Sequence, residues 1–236
     1  MTALRKTALI AGVVYLITFI SIPTLSLYGP VRDDPTYILG AGPDTPALIG
    51  AALEIVVALA CIGTAVVLYP VVKRQNEAVA MGFVGARVLE AATIFAGVAS
   101  LLSVVTLRQA GAGAEALVAG QALVALHDWT TLLGQGFLPA VNALLLGSLL
   151  YRSRLVPRII PLVGLIGAPL IIASVTATMF GLKDQLSTLS GLAVLPVALW
   201  EFSLGVYLVV KGFKPSPVTA GMTTNSTPHT YQDAAV

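Results

Sequence analysis

The chain has 236 residues, of which 57% are hydrophobic and only 10% are charged, and its mean hydropathy is +0.91. Such a composition provides too little polar surface to cover a globule in water, which excludes an ordinary soluble domain. The formal net charge of +2 is small and the basic residues are spread among loops, so we expect no nucleic-acid partner. The composition predicts an integral membrane protein whose surroundings are the lipid bilayer.

Six apolar segments are long enough to cross a bilayer, since a spanning helix needs about 20 residues. They cover roughly 7–28, 47–72, 79–107, 122–151, 159–180 and 189–210. The first segment follows Arg5 and Lys6 but is longer than the apolar core of a signal peptide, so we predict a retained helix. The sequence therefore predicts an all-α, six-helix transmembrane domain over 1–214, followed by a disordered polar tail, 215–236.

Charged residues divide unequally between the two sides of this predicted bundle. One side carries the basic residues Arg5, Lys6, Lys73, Arg74, Arg152, Arg154, Arg158, Lys211 and Lys214. The other side carries Arg32, Arg108 and Lys183 with the acidic residues Asp33, Asp34, Asp44, Glu115 and Asp184. Because cytoplasmic loops are enriched in Lys and Arg, both termini are predicted to be cytoplasmic. The longest loop, 29–46, is rich in proline, and we expect no regular secondary structure in it.

The fourth predicted helix combines an apolar run of membrane length with a stripe of polar side chains. At about 100° per residue, Asp128, Thr131, Gln135 and Asn142 fall within about 60° of one another, with His127 at the edge of this arc. Such a stripe requires protein or water on its side of the helix and lipid on the opposite side. The helix is therefore a place to look for a site inside the bundle.

Depth along the helices, at about 1.5 Å per residue, separates the polar residues into two groups. Glu54, His127 and Asp128 lie near the outer boundary of the bilayer, and with Thr131 and Gln135 they form the predicted outer polar group. These residues have two interpretations. They are either interfacial polar residues at helix ends or an acid/base group open to the outer leaflet.

The second predicted group, which we call the central cluster, consists of Arg87, Glu90, Asn142 and Glu201 near the middle of the bilayer. Arg87 and Glu90 are three residues apart on one helix, so their side chains are neighbours that can pair. One arginine against two glutamates leaves the cluster at −1 if all three ionise. A cluster of this kind can couple to proton movement or bind a cationic ligand. It can equally lock three helices together as a structural ion pair.

Metal and cofactor sites of the common types have too few ligands in this chain. Cys61 is the only cysteine, which excludes a disulfide or a cysteine-based metal site. His127 and His229 are the only histidines, which excludes bis-histidine haem and zinc sites of ordinary composition within one chain. We predict neither a metal nor a cofactor.

Three segments carry a resemblance to a known family: GFVGARVLEA in the third predicted helix, HDW in the fourth, and the ending LWEFSLGVYLVVKGFK. With them the chain resembles, over about residues 5–214, a bacterial membrane family catalogued only as domain of unknown function 4386. The resemblance implies a six-helix protein of the bacterial inner membrane. It favours Arg87, Glu90 and Glu201 as site residues and implies no reaction.

The sequence leaves three functions open. The first, which we favour, is a small transporter or binder of a lipid-soluble or cationic ligand, and it requires a cavity that reaches Glu90 and Glu201. The second is an accessory or scaffold subunit without chemistry. The third is an intramembrane lipid-modifying enzyme, whose outer polar group must reach one substrate atom. We favour this least, because the sequence contains no hydrolase, zinc-protease or P-loop motif.

Overall fold

The computed structural model describes residues 1–220, and every regular element in that part of the chain is a helix. The α-helices are α1 (Ala3–Ile17), α2 (Thr24–Leu27), α3 (Gly29–Arg32), α4 (Thr45–Val72), α5 (Glu77–Gln109), α6 (Leu117–Thr131), α7 (Leu138–Ser153), α8 (Ile159–Met179) and α9 (Thr188–Val210). A 3-10 turn, Thr18–Ser21, lies between α1 and α2, and a π-helical turn, Leu132–Phe137, joins α6 to α7. The predicted all-α class is confirmed.

Six helical stretches of the described chain are long and apolar enough to cross a membrane, as predicted. They are Ala3–Leu27, Thr45–Val72, Glu77–Gln109, Ala114–Ser153, Ile159–Met179 and Thr188–Val210. Polar caps fix several of their ends: Asn76 Oδ1 accepts a hydrogen bond from Val79 N at 3.0 Å where α5 begins. At the end of α7, Arg154 adopts a left-handed conformation with φ of 56°, which stops the helix.

The six spans form a closed ring. Each span packs on the next one in sequence, from α1 on α4 through α7 on α8 to α8 on α9, and α9 returns to pack on α1. Spans that are not neighbours in the ring, such as α4 and α7, meet over only a short distance. The centre of the ring is therefore enclosed by side chains from all six spans.

The backbones of α1 and α9 are in close contact where the two helices cross. A Cβ atom added to Gly12 would lie 2.6 Å from the carbonyl oxygen of Gly205, so the two backbones are in direct contact. Nearby, the guanidinium group of Arg5 donates hydrogen bonds to the carbonyls of Leu208 at 2.8 Å and Val209 at 2.5 Å, which lie at the end of α9. We call the end of the bundle that contains Arg5 the basic end, and the opposite end, which contains residues 29–44, the acidic end.

Helix α8 also packs closely on α9. A Cβ atom on Gly164 would lie 2.5 Å from the Trp200 ring, and one on Gly167 would lie 2.8 Å from Pro196. The sequence of α8, with its glycines and prolines, is compatible with either a hinge or a tight crossing. The structure shows a tight crossing, because glycine lets the bulky ring and the proline approach the helix axis.

The long loop differs from its prediction. Residues 29–46 were expected to lack regular structure, but they contain α3 and a 3-10 turn, Tyr37–Leu39. The cause is hydrophobic burial, since Val31, Tyr37 and Ile38 are buried in a cluster with residues of α5. The loop is therefore a folded cap over the acidic end.

An ion pair fastens this cap to the end of α5. Asp44 pairs with Arg108, and it accepts hydrogen bonds from Tyr37 Oη at 2.7 Å and Gln109 Nε2 at 2.9 Å. Burial alone would raise the pKa of Asp44, but the hydrogen bonds from Gln109, Tyr37 and Arg108 prevail and lower that pKa below its ordinary value. The ionised carboxylate therefore stabilises the cap.

The start of the predicted disordered tail is ordered in the structure. Ser216 Oγ donates a hydrogen bond to the carbonyl of Ser153 at 2.6 Å, and a 3-10 turn, Pro217–Thr219, follows it. The buried side chain of Thr219 explains why this segment folds back on the bundle. The remainder of the predicted tail, 221–236, lies outside the described residues.

Candidate functional site

The structure brings the four residues of the central cluster together. Arg87, on α5, donates a hydrogen bond from Nη1 to Glu90 Oε2 at 2.9 Å and from Nη2 to Glu201 Oε1, on α9, at 2.7 Å. Asn142, on α7, donates from Nδ2 to the same Glu90 oxygen at 2.6 Å. The predicted pairing of Arg87 with Glu90 is therefore present, and the cluster joins three spans.

Arg87 is almost completely buried, with 1% of its side chain exposed. Aromatic rings cover its guanidinium group, with the centroid of Tyr15 at 5.1 Å and that of Phe83 at 5.8 Å. Cys61 Sγ, at 3.7 Å from Nη1, completes these surroundings. None of these three residues was predicted as a neighbour of Arg87, although a buried arginine between apolar helices commonly packs against aromatic rings.

Several buried polar atoms around the cluster have no hydrogen-bond partner in the described part of the chain. They are Tyr15 Oη, Arg87 Nε and Asn142 Oδ1. Unpaired buried polar groups are costly, and in native proteins they commonly mark places that bind water, an ion or a ligand. The central cluster is therefore incompletely satisfied by the protein alone.

A central cavity of about 310 Å³ reaches this cluster. Each of the six spans contributes to its wall, and the lining residues include Thr18, Val57, Glu90, Gln135, Ile171 and Glu201. Glu90 Oε1 and Glu201 Oε2 make no hydrogen bond to any described residue, because the bonds to Arg87 and Asn142 use the other oxygens. Both glutamates therefore line the central cavity, and each has one carboxylate oxygen without a hydrogen-bond partner among the described residues.

The outer polar group is centred on Glu54, which is only 3% exposed. Its Oε1 atom accepts hydrogen bonds from Gln135 Nε2 at 3.1 Å and Thr24 Oγ1 at 3.4 Å, and its Oε2 atom accepts one from Tyr28 Oη at 3.2 Å. All of these donors are neutral. No Lys, Arg or His nitrogen of the described residues lies within 4.0 Å of the Glu54 carboxylate.

His127, Asp128 and Thr131 lie beside this carboxylate site and contact one another. Asp128 Oδ1 lies 3.3 Å from His127 Nδ1 and accepts a hydrogen bond from Arg32 Nε at 2.9 Å. The other ring nitrogen, His127 Nε2, lies 3.5 Å from Thr131 Oγ1. The His127 ring packs edge to face against Tyr28, with centroids 5.4 Å apart. Tyr28 therefore connects the histidine to Glu54.

Thr24, Tyr28 and Arg32 also belong to the outer polar group, although they were not predicted from the sequence. They lie in α2 and α3 or next to them, beyond the break near Pro23. Glu54 itself could have indicated them, because a carboxylate in a membrane span needs hydrogen-bond donors. Residues with hydroxyl groups lie at the same predicted depth. The predicted single stripe is also divided, since Asn142 contacts the central cluster and not the outer polar group.

An outer cavity of about 290 Å³ adjoins the central one. It is lined by Tyr28, Arg32, Glu54, His127, Thr131 and neighbouring apolar residues, and it shares Ser21, Ile22, Gln135, Ile171 and Val194 with the central cavity. Ile22 is 64% exposed and Val194 is 43% exposed, so both cavities reach the lateral surface of the bundle between the first and last spans. This opening lies on the acidic side of the Gly12–Gly205 crossing.

The described residues contain no group of three or more His, Cys, Asp or Glu side chains that could hold a metal ion.

No curated protein and no solved structure matches the chain. The model of a protein family described as domain of unknown function (DUF4386) matches residues 10–212, which confirms the resemblance found in the sequence. The chain therefore belongs to the DUF4386 family.

Proposed function

We propose that this chain is a small transporter or binding protein of the bacterial inner membrane, with both termini in the cytoplasm, and that its ligand is a lipophilic cation. The observation that carries this proposal is that Glu90 and Glu201, each with one carboxylate oxygen that has no described hydrogen-bond partner, line a cavity walled by all six spans. The excess of Lys and Arg at the basic end supports the orientation.

The charge of the central cluster favours a cation as the ligand. Arg87 supplies one positive charge against the two negative charges of Glu90 and Glu201, which leaves −1 when all three are ionised. An unbalanced charge in the low dielectric of a bundle interior is costly, and a bound cation would balance it. Val57, Ile171 and other apolar residues of the wall match the apolar groups of such a ligand.

The lateral opening is the second support for a lipophilic ligand. Ile22 and Val194 line the cavities and are exposed at a depth where lipid surrounds the protein. A molecule dissolved in the bilayer can enter by this route without crossing either end of the bundle. A hydrophilic ion would first have to cross an apolar surface, which is unfavourable.

The experiment is equilibrium binding of radiolabelled tetraphenylphosphonium to the full chain in lipid nanodiscs. Glu201→Gln should weaken binding at least tenfold, or about 1.4 kcal/mol, because the amide keeps the shape of the side chain but removes its charge. Glu115→Gln, which alters an exposed carboxylate outside both cavities, is the matched control and should bind like the parent. Equal binding by the parent and Glu201→Gln would reject the central cluster as the site.

Transport is tested separately, in proteoliposomes preloaded with unlabelled tetraphenylphosphonium. Because a lipophilic cation also crosses the bare bilayer, the parent should exchange labelled probe faster than protein-free liposomes, and Glu201→Gln should exchange it at the protein-free rate. Binding without this acceleration would leave a binding protein and remove the transporter. An accessory subunit without chemistry predicts neither binding nor accelerated exchange.

A further inference from the structure

The Glu54 carboxylate is surrounded by groups that only partly account for a buried negative charge. Its two oxygens accept hydrogen bonds from Thr24, Tyr28 and Gln135, all of them neutral. The nearby Arg32 is already bound to Asp128 at 2.9 Å, so this pair adds no net positive charge to the outer cavity. Buried carboxylates in proteins are normally paired with a cation, and the described residues supply none here.

The walls around Glu54 are suited to the body of an apolar cation. Tyr28, whose ring packs on His127, also lines this cavity and donates a hydrogen bond from Oη to Glu54 at 3.2 Å. Leu132, Ile171 and Val175 supply aliphatic surface in the same cavity. The volume of about 290 Å³ lies close to the lower end of the usual range for small-molecule sites.

The position of the outer cavity places it on the route to the central cluster. Leu25 and Leu186 line its wall and are 57% and 65% exposed, which indicates an entrance from the lipid near the acidic end. Gln135, in the π-helical turn, lines both cavities and donates its hydrogen bond to Glu54. A π-helical turn frequently marks a functional position, since it redirects a side chain that a regular helix would point elsewhere.

We infer that Glu54 is a second binding site for a lipophilic cation, which the ligand occupies on its way from the bilayer to the central cluster. This inference rests on the proposed function, because it takes the same class of ligand, but it assigns a different carboxylate. The two sites are joined at Gln135. The ligand exchanges one buried carboxylate for the next without returning to lipid.

The experiment compares tetraphenylphosphonium binding to the full chain in nanodiscs for the parent, Glu54→Gln, Glu201→Gln and the double variant. Glu201→Gln should retain weak binding, and the double variant should bind at least tenfold more weakly than Glu201→Gln. Glu54→Gln alone should slow association of the probe several-fold. Glu54→Asp combined with Glu201→Gln keeps the charge at position 54. It should retain most of the weak binding that Glu201→Gln shows, which separates loss of charge from loss of packing. Glu115→Gln is again the control.

The outcomes separate this inference from the proposed function. If the double variant binds as Glu201→Gln does, or if Glu201→Gln binds no probe at all, Glu54 is not a site and the inference fails while the proposed function stands. If Glu201→Gln matches the parent but Glu54→Gln loses binding, the central site fails and the Glu54 site stands. A parent that binds no tetraphenylphosphonium overturns both.

Discussion

Replacement of Arg87 by Met tests how the charges of the central cluster hold the bundle together. Met keeps a flexible side chain of comparable length but has no charge and no donor. In the parent, Glu90 and Glu201 both lie within hydrogen-bonding distance of this guanidinium group, at 2.9 Å and 2.7 Å. Without it, the buried Glu90 and the partly buried Glu201 lose their shared cation, and the charge of the cluster, if both ionise, changes from −1 to −2.

Removal of one partner from a buried ion pair costs about 3–5 kcal/mol, since the remaining charge is uncompensated. For a chain of this size, 1 kcal/mol shifts Tm by about 2–4 °C, so Arg87→Met should lower Tm by about 6–20 °C. Glu90→Gln and Glu201→Gln leave Arg87 paired with one carboxylate and bring the cluster to zero. Each should cost only about 1.5–3 kcal/mol, the contribution of one hydrogen bond to a charged group.

Thermal unfolding in detergent, followed by tryptophan fluorescence, measures these differences, and the fully buried Trp200 beside Glu201 is a suitable reporter. The decisive comparison is the triple variant Arg87→Met/Glu90→Gln/Glu201→Gln, which has no buried charge in this cluster. It should be more stable than Arg87→Met alone. If the triple variant is as unstable as Arg87→Met, or if Glu201→Gln costs as much as Arg87→Met, charge balance does not explain the stability of the cluster.

Two further predictions concern the ends of the bundle. Gly12→Ala should lower the free energy of unfolding by about 1–3 kcal/mol, because the new methyl group meets the Gly205 backbone. Gly85→Ala is the control, since its methyl group meets no atom within 4 Å. This control should be neutral or slightly stabilising in the same denaturation assay. Asp44→Asn should lower stability at neutral pH, since the folded pKa of Asp44 is depressed and the carboxylate stabilises the cap when ionised. This difference in stability should be complete well above pH 3.8 and should disappear as the pH falls through the folded pKa of Asp44. A difference in unfolding free energy that stays constant as the pH falls through that pKa would contradict the role given to the Asp44–Arg108 pair.

The spans and the central cluster could be predicted from the sequence because few physical constraints determine them. A bilayer requires long apolar helices, and a charge inside one requires a partner at the same depth. Arg87, Glu90 and Glu201 are charges deep within spans, so depth along the helices was sufficient to bring them together. Asn142 followed by the same argument. The orientation in the membrane stays a prediction.

The outer polar group was only partly accessible. The prediction treated 122–151 as one regular helix, but the π-helical turn at Leu132–Phe137 shifts the angular position of every later residue. No local sequence pattern predicts such a turn. Tyr28 also could not be assigned, since its place beside Glu54 depends on how the chain folds after α1 ends, and the proline-rich loop gave no periodicity to follow.

The interpretations of the central cluster as a helix lock and as a binding site are compatible, because the two uses involve different atoms. Arg87 binds one oxygen of Glu90 and one oxygen of Glu201, and these contacts join α5 to α9. The second oxygen of each glutamate is free of described partners and belongs to a residue of the cavity wall. A purely structural lock would gain from a second cation or a further hydrogen-bond donor against those oxygens. The bundle instead leaves a cavity there and connects it to a second buried carboxylate at Glu54, an arrangement that is compatible with the proposed binding of a cation.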